Sequence, residues 1–137
     1  METSGEENKQ LIRRLYEEAL YQGNFASIDE MFSPDFVDHS TPEQPAGPEG
    51  VKEYFAAVRE GFPDIQVTID DLIVEGDKVV VRTTWRGTHL GTYDGMAATG
   101  KRAERTLIQI FRVKDGRILE EWNEGGGLLD AVQRDSL

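Results

Sequence analysis

The sequence predicts an α+β domain in which helices pack against a curved, mostly antiparallel sheet that encloses a pocket. Residues 8 to 62 carry apolar side chains at helical spacing, whereas residues 65 to 124 carry them at every second position. Helices in one half and strands in the other are typical of α+β proteins. The first and third helices have wide apolar stripes that need covering, so we expect the sheet to curl around them.

The first half predicts three helices and one short strand. An apolar stripe defines the first helix over residues 8 to 21, and glycine follows it. A second, shorter helix over 24 to 32 ends at a Ser-Pro pair, before a strand at 35 to 39. A loop with three of the five prolines then leads to the third helix, residues 51 to 62.

The second half predicts strands joined by turns. Alternating apolar and polar residues mark strands at 65 to 69, 79 to 89, 102 to 113 and 118 to 124. A Lys-Asp-Gly-Arg sequence joins the last two as a hairpin. Three successive glycines then break the chain before a short helical tail.

Composition restricts the function classes. The chain has 137 residues, no Cys, and 15 basic against 26 acidic side chains, for a net charge of −11. Nucleic acid phosphates require a basic surface, and an anionic membrane also disfavours an acidic protein. No signal-peptide pattern opens the sequence. We expect a cytoplasmic protein with a disordered segment at 1–7, one domain over 8–132 and a tail at 133–137.

Strand alternation predicts which side chains face the interior. In the strand from 79 to 89 the odd positions are the more apolar ones, which points Trp85 and His89 inward. In the last strand Trp122 belongs to the inward set, and Glu120 and Glu124 share its phase. A carboxylate in an apolar space is costly unless it is paired, neutralised or at a pocket mouth. The pattern therefore indicates acid–base chemistry in a pocket.

Each candidate also has a purely structural interpretation. Tyr16, on the stripe of the first helix, is typical of a core residue whose hydroxyl is hydrogen-bonded. His39 can simply end its strand, and His89 can face solvent. Glu120 can pair with an arginine of a neighbouring strand, such as Arg105. The two tryptophans are typical packing anchors.

Several cofactor-dependent classes lack their motifs in this sequence. There is no Gly-x-Gly-x-x-Gly after a strand, no Walker loop and no Gly-x-Ser-x-Gly elbow. Two histidines without Cys or a His-Glu-x-x-His motif predict no metal site. Cofactor-free acid–base chemistry or ligand binding in an apolar pocket remains.

Short motifs occur in a specific order between residues 8 and 132. They include Phe32-Ser-Pro-Asp-Phe-Val-Asp-His39, Gly47-Pro-Glu-Gly-Val51, Phe62-Pro-Asp-Ile65, Glu75-Gly-Asp-Lys-Val79, Gly87-Thr-His89 and Glu120-Glu-Trp122. In this order and spacing they resemble the SnoaL-like polyketide cyclase family of the NTF2-like superfamily. The resemblance implies a cone of helices packed into a strongly curved sheet around a deep cavity.

The resemblance also implies an activity. Typical members are cofactor-free enzymes that close a ring by intramolecular aldol condensation of a polyketide ester. In them an acidic residue, usually an Asp after the last-strand Trp, handles the proton next to a carbonyl. Here Glu124 is the only carboxylate between Trp122 and Leu128, whereas His39 and His89 match the family pattern. Such proteins commonly pair through the outer face of the sheet, so a homodimer is expected.

Two related families match less of the sequence. Tyr16 lies where ketosteroid isomerases place an oxyanion-stabilising Tyr. The position of their catalytic Asp, however, corresponds to a place near Ser40 in this sequence, so that match fails. The epoxide hydrolases of the superfamily need an Asp-Arg-Asp set in the pocket, whereas Arg82 and Arg86 are predicted to point outward.

The leading hypothesis is an enzyme that removes a proton next to a carbonyl in a hydrophobic small molecule. Glu124 or Glu120 would be the base, and three residues would hydrogen-bond the enolate: Tyr16, His39 and His89. Four residues are assigned to substrate binding: Trp85, Trp122, Phe55 and Asp38. The alternative is a small-molecule-binding module without chemistry, and an epoxide or lactone hydrolase is the third hypothesis.

Overall fold

One five-stranded sheet and four helices form the described part of the chain, residues 4–134 of the computed structural model. The strands are β1 (Phe32–Asp38), β2 (Gln66–Glu75), β3 (Lys78–Thr88), β4 (Arg102–Lys114) and β5 (Arg117–Gly125). The helices are α1 (Gly5–Arg14), which continues into a π-helical segment (Leu15–Tyr21), α2 (Ala26–Met31), α3 (Pro48–Gly61) and α4 (Leu128–Arg134).

The sheet has the strand order β1-β5-β4-β3-β2. Only β1 and β5 run parallel, and the other neighbouring strands pair antiparallel. The predicted α+β class with a mostly antiparallel sheet is therefore confirmed. The first strand begins at Phe32, earlier than predicted, and includes Pro34. Proline is tolerated there because β1 lies at the edge of the sheet.

The first helix begins before the predicted residue 8. The Ser4 side chain accepts a hydrogen bond of 3.2 Å from the backbone N–H of Glu7 and so caps a helix that starts at Gly5. Part of the expected disordered segment is thus the first helical turn. Residues 1–3 of that segment, and residues 135–137 of the expected tail, lie outside the described residues.

The second half of the first predicted helix is π-helical, with hydrogen bonds that close wider turns. Gly23 follows it with a φ of 69°, as the predicted stop requires. Arg59 of α3 donates from Nη1 to the carbonyl oxygens of Leu20 and Tyr21, at 2.6 and 2.8 Å. The end of the π-helical segment is therefore attached to α3.

A β-bulge near the start of β5 reverses the alternation of that strand. Ile118 pairs with Val113 and Glu120 pairs with Arg112, so Leu119 has no residue opposite it on β4. One extra residue moves every later side chain of the strand to the other face. Glu120 and the residues in phase with it consequently lie on the outer face of the sheet.

The core lies between the inner face of the sheet and the helices. The odd positions of β3 face inward, and Trp85 and the following His89 are buried, as predicted. The largest apolar side chains packed there include Ile12, Leu20, Phe32, Phe36, Phe62 and Phe111. None of the described helices is long and apolar enough to cross a membrane.

Candidate active site

A cavity of about 170 Å³ lies between the inner face of the sheet, α3 and the π-helical segment. A void near 150 Å³ is sufficient for a benzene ring, so this cavity takes a molecule of at least one ring. Its apolar lining consists of Leu15, Phe32, Val51, Phe55, Trp85 and Leu107. The polar groups that reach it are those of Tyr16, Asp38, Thr41, Gln44, Tyr54, Arg105, Gln109, Glu121 and Asn123.

Side-chain hydrogen bonds hold the Glu121 carboxylate in the cavity wall. Tyr16 Oη donates to Gln109 Oε1 at 2.6 Å, and Gln109 Nε2 donates to Glu121 Oε2 at 2.8 Å. Asn123 Nδ2 donates to the same Oε2 at 3.1 Å. Within the described chain these are the hydrogen bonds of this carboxylate, which leaves Oε1 unpartnered. The group is therefore fixed through one oxygen and can accept a proton at the other.

Burial raises the pKa of Glu121 from 4.5 to about 7, and the negative charge of Asp38 acts in the same direction. The hydrogen bonds from Gln109 and Asn123, and the positive charge of Arg105, lower this pKa and offset part of the rise. Burial also raises the pKa of Asp38. A carboxyl group that titrates near pH 7 is suited to general acid–base catalysis, because both of its forms are populated at neutral pH.

A guanidinium group occupies another part of the cavity wall. Arg105 Nη2 donates to Tyr54 Oη at 2.6 Å, and Nη1 donates to the carbonyl oxygen of Gly126 at 3.2 Å. The guanidinium carbon lies 4.3 Å from the centroid of the Trp85 ring, a cation–π distance. The Tyr54 hydroxyl thus accepts from Arg105 and is also in hydrogen-bond contact with the Tyr93 hydroxyl.

Four predicted site residues line the cavity: Tyr16, Trp85, Phe55 and Asp38. The Tyr16 hydroxyl is committed to Gln109, and burial raises the pKa of this phenol. Tyr16 is thus placed to orient Gln109. Asp38 Oδ1 accepts from the backbone N–H of Ser40 at 2.9 Å.

The predicted inward orientation of Glu120, Trp122 and Glu124 is wrong, because the bulge turns all three outward. Glu120 accepts from Arg112 Nε at 2.5 Å and contacts His39 Nε2 at 3.0 Å. The hydrogen bond from Arg112 is the main reason why the pKa of Glu120 is lowered. Glu124 is exposed. The expected structural pairing of Glu120 with an arginine therefore occurs, but with Arg112 instead of Arg105.

The other three predicted residues also lie outside the cavity lining. His39 stacks on Trp122 with ring centroids 4.9 Å apart, beside the outward-facing Glu120. His89 is fully buried, with Nδ1 3.0 Å from Thr99 Oγ1 and its ring stacked on Phe62. The structure does not bring these groups to the Glu121 carboxylate.

Seven polar residues of the cavity lining were not among the predicted site residues: Thr41, Gln44, Tyr54, Arg105, Gln109, Glu121 and Asn123. A signal for two of them was present in β4, whose odd positions are buried and include Arg105 and Gln109. For β5 the adjacent apolar pair Ile118 and Leu119 was the signal, because it interrupts strict alternation.

A sheet packed on helices around a cavity ringed by titratable side chains defines the NTF2-like class of α+β proteins. The family model for the SnoaL-like polyketide cyclases matches residues 10–125, and the chain belongs to that family.

Individual relatives agree with this assignment. The chain is 26% identical over 117 residues to nogalonic acid methyl ester cyclase of Streptomyces nogalater, covering 81% of this chain and 87% of the relative. The solved structure of TsrD from Streptomyces laurentii is similar, with 30% identity and a TM-score of 0.86 over 97% of this chain and 96% of that one. IdmH from Streptomyces antibioticus has 30% identity and a TM-score of 0.77, over 93% of this chain and 96% of IdmH.

Proposed function

We propose that the chain is a cyclase-type enzyme that removes a proton next to a carbonyl of a hydrophobic small molecule without a cofactor. The observation that carries the proposal is the half-buried Glu121 carboxylate, which lines the cavity with Oε1 unpartnered and has its pKa raised to about 7. Membership of the SnoaL-like family supports a cyclase-type reaction. The similar protein of Streptomyces nogalater is named for the same class of reaction.

In the proposed reaction the ionised Glu121 takes a proton from the carbon next to a carbonyl. The electron pair of the broken C–H bond forms the enolate, whose carbon adds to a second carbonyl carbon of the same molecule. This step forms the C–C bond of the ring and leaves an alkoxide. The proton held by Glu121 then passes to the alkoxide, so the carboxylate is regenerated.

The developing enolate oxygen needs a hydrogen-bond donor. Arg105 and Tyr54, which are hydrogen-bonded to each other, are the donors of the cavity wall proposed to bind the substrate oxygens. Donors placed where charge develops are among the largest contributions to such reactions. The apolar side chains of Phe55 and Trp85 exclude water from this part of the cavity.

The test is exchange of the acidic hydrogen of a small β-keto ester in deuterated water, followed by NMR. Glu121→Gln keeps the shape of the side chain and removes the base, so we expect the exchange rate to fall by about 100-fold to 10,000-fold. The wild-type rate rises with pH and levels off above about 7, because Glu121 must be ionised.

Two matched variants on the same strand are the controls. Glu120→Gln and Glu124→Gln remove outward-facing carboxylates and leave the exchange rate unchanged. The proposal fails if Glu121→Gln retains the wild-type rate. Retention in all three variants would favour a small-molecule-binding module without chemistry.

A further inference from the structure

Arg105 is a buried cation with no direct ion pair among the described residues, although its charge also acts on Glu121 across the cavity. Only 8% of its surface is exposed, yet among residues 4–134 no carboxylate forms an ion pair with it. By contrast, four arginines nearer the surface pair with an Asp or Glu: Arg14, Arg82, Arg86 and Arg112. Arg105 Nε, moreover, is buried and has no hydrogen-bond acceptor in the described chain.

The neutral partners of Arg105 compensate for only part of the burial. A phenol oxygen, a backbone carbonyl and the face of an indole surround the guanidinium. Removing a charge from water is strongly unfavourable unless an opposite charge replaces the lost hydration. With no direct ion pair and with Nε unpartnered, this charge beside the cavity favours an anionic ligand there.

The position of the charge in the cavity defines where that anion lies. Arg105 is the only cationic side chain among the described residues of the lining. It pairs across the sheet with Trp85, whereas Gln109, which holds Glu121, lies four residues further along the same strand. The cavity thus has a cationic part at Arg105 and an acidic part at Glu121 and Asp38.

We propose that Arg105 and Tyr54 form a subsite for an anionic oxygen carried by a planar ring, either a carboxylate or an enolate-type phenolate oxygen. This inference rests on the proposed function and names its substrate class: ring compounds with an acidic oxygen at one end and an acidic C–H at the other. The anionic oxygen lies at Arg105, where a charge-assisted hydrogen bond replaces the missing counterion. The carbon that loses its proton faces Glu121.

The first test compares the binding of benzoate and of benzamide, its neutral analogue of nearly the same shape, by titration calorimetry. We expect the wild-type protein to bind benzoate about tenfold more tightly or better, the effect of one charge-assisted hydrogen bond. Arg105→Met keeps much of the side-chain volume and removes this preference. Arg112→Met, on the outer face of the sheet, keeps it.

Benzamide binding also shows that the Arg105→Met cavity is intact, so a lost preference is not mistaken for a lost fold. Arg105→Lys retains the charge and is a second control. It preserves part of the preference if charge is what selects benzoate. Equal binding of both probes by the wild-type protein excludes a carboxylate subsite, and a preference that Arg105→Met keeps overturns the proposal.

The second test separates the two sources of the anionic oxygen. The phenolate form of 4-nitrophenol absorbs visible light, so its spectrum reports the ionisation state of the bound probe. Binding to the wild-type protein should favour the phenolate, and Arg105→Met should abolish this shift. Benzoate preference without the spectral shift identifies a carboxylate subsite, and the spectral shift without benzoate preference identifies a phenolate subsite. The absence of both effects overturns the proposal.

These measurements do not depend on turnover. If Glu121→Gln retains proton exchange while Arg105 still selects benzoate, the proposed chemistry fails and the anion subsite stands. If exchange depends on Glu121 but the probes bind without regard to charge, the subsite fails and the proposed chemistry stands.

Discussion

In its ionised form, which the proposed reaction needs, the Glu121 carboxyl group lowers the stability of the fold. Its pKa is about 7 in the folded protein, against 4.5 for an unperturbed group. Between pH 4.5 and about pH 7, the folded state keeps a proton that the unfolded state has lost. The free energy of unfolding therefore falls as the pH rises from 4.5 to 7, and stays lower above it.

Glu121→Gln should consequently stabilise the protein at high pH. A rise of the pKa from 4.5 to about 7 corresponds to about 3 kcal/mol, at roughly 1.36 kcal/mol for each pH unit. We expect this gain at pH 8 and almost none at pH 4, measured by urea unfolding. The amide can still accept the hydrogen bonds of Gln109 and Asn123. An equal gain at both pH values would contradict the prediction, and the exposed Glu124→Gln serves as control.

At the scale of single elements, the sequence predicts the order and type of helices and strands well, because hydrophobic periodicity reports which side of an element is buried. It predicts the face of β3 correctly, and Trp85 and Asp38 do line the cavity. It fails on β5 because alternation determines a face only while the register is unbroken. The bulge at Leu119 is fixed by pairing with a neighbouring strand, which one strand's pattern does not contain.

The inward position of Arg105 was likewise not predictable from its local sequence. An arginine in a strand is typical of an outward position, and only the buried phase of the whole of β4 places it inside. Its contacts come from three separate parts of the chain: Tyr54 on α3, Trp85 on β3 and Gly126 after β5. A site assembled in this way follows from the fold and not from local spacing.

The attachment of the π-helical segment to α3 is testable at this scale. Arg59→Met should lower the free energy of unfolding by about 1–3 kcal/mol, because the carbonyls of Leu20 and Tyr21 lose a charged donor. Urea unfolding at neutral pH measures the change. Arg117→Met, on an exposed side chain of the β4–β5 hairpin, is the control and should stay within about 0.5 kcal/mol of wild type. A loss no larger than that of the control would show that Arg59 does not hold the two elements together.

For the whole molecule, the outer face of the sheet predicts self-association. Ile73 and Ile108 are 59% and 48% exposed on this face. Five apolar side chains adjoin one another there: Ile73, Val80, Ile108, Ile110 and Trp122. Paired charges surround this outer apolar patch, such as Arg112 with Glu120. A self-complementary patch of this kind suits a twofold dimer. The net charge of −11 on each copy opposes association, so added salt should strengthen the dimer by screening that repulsion.

Sedimentation equilibrium checks this prediction over a range of protein and salt concentrations. We expect a wild-type dimer whose dissociation constant falls as the salt concentration rises. Ile108→Lys places a charge in the outer apolar patch and repeats it across the twofold axis, so it should give a monomer with an intact fold. Leu90→Lys changes an equally exposed apolar side chain in the loop after β3 and should leave the dimer unchanged. A wild-type monomer at all salt concentrations, or a dimer that survives Ile108→Lys, would contradict the proposed interface. Because Glu121 and Arg105 face the cavity on the opposite side of the sheet, the monomeric variant should retain the benzoate preference.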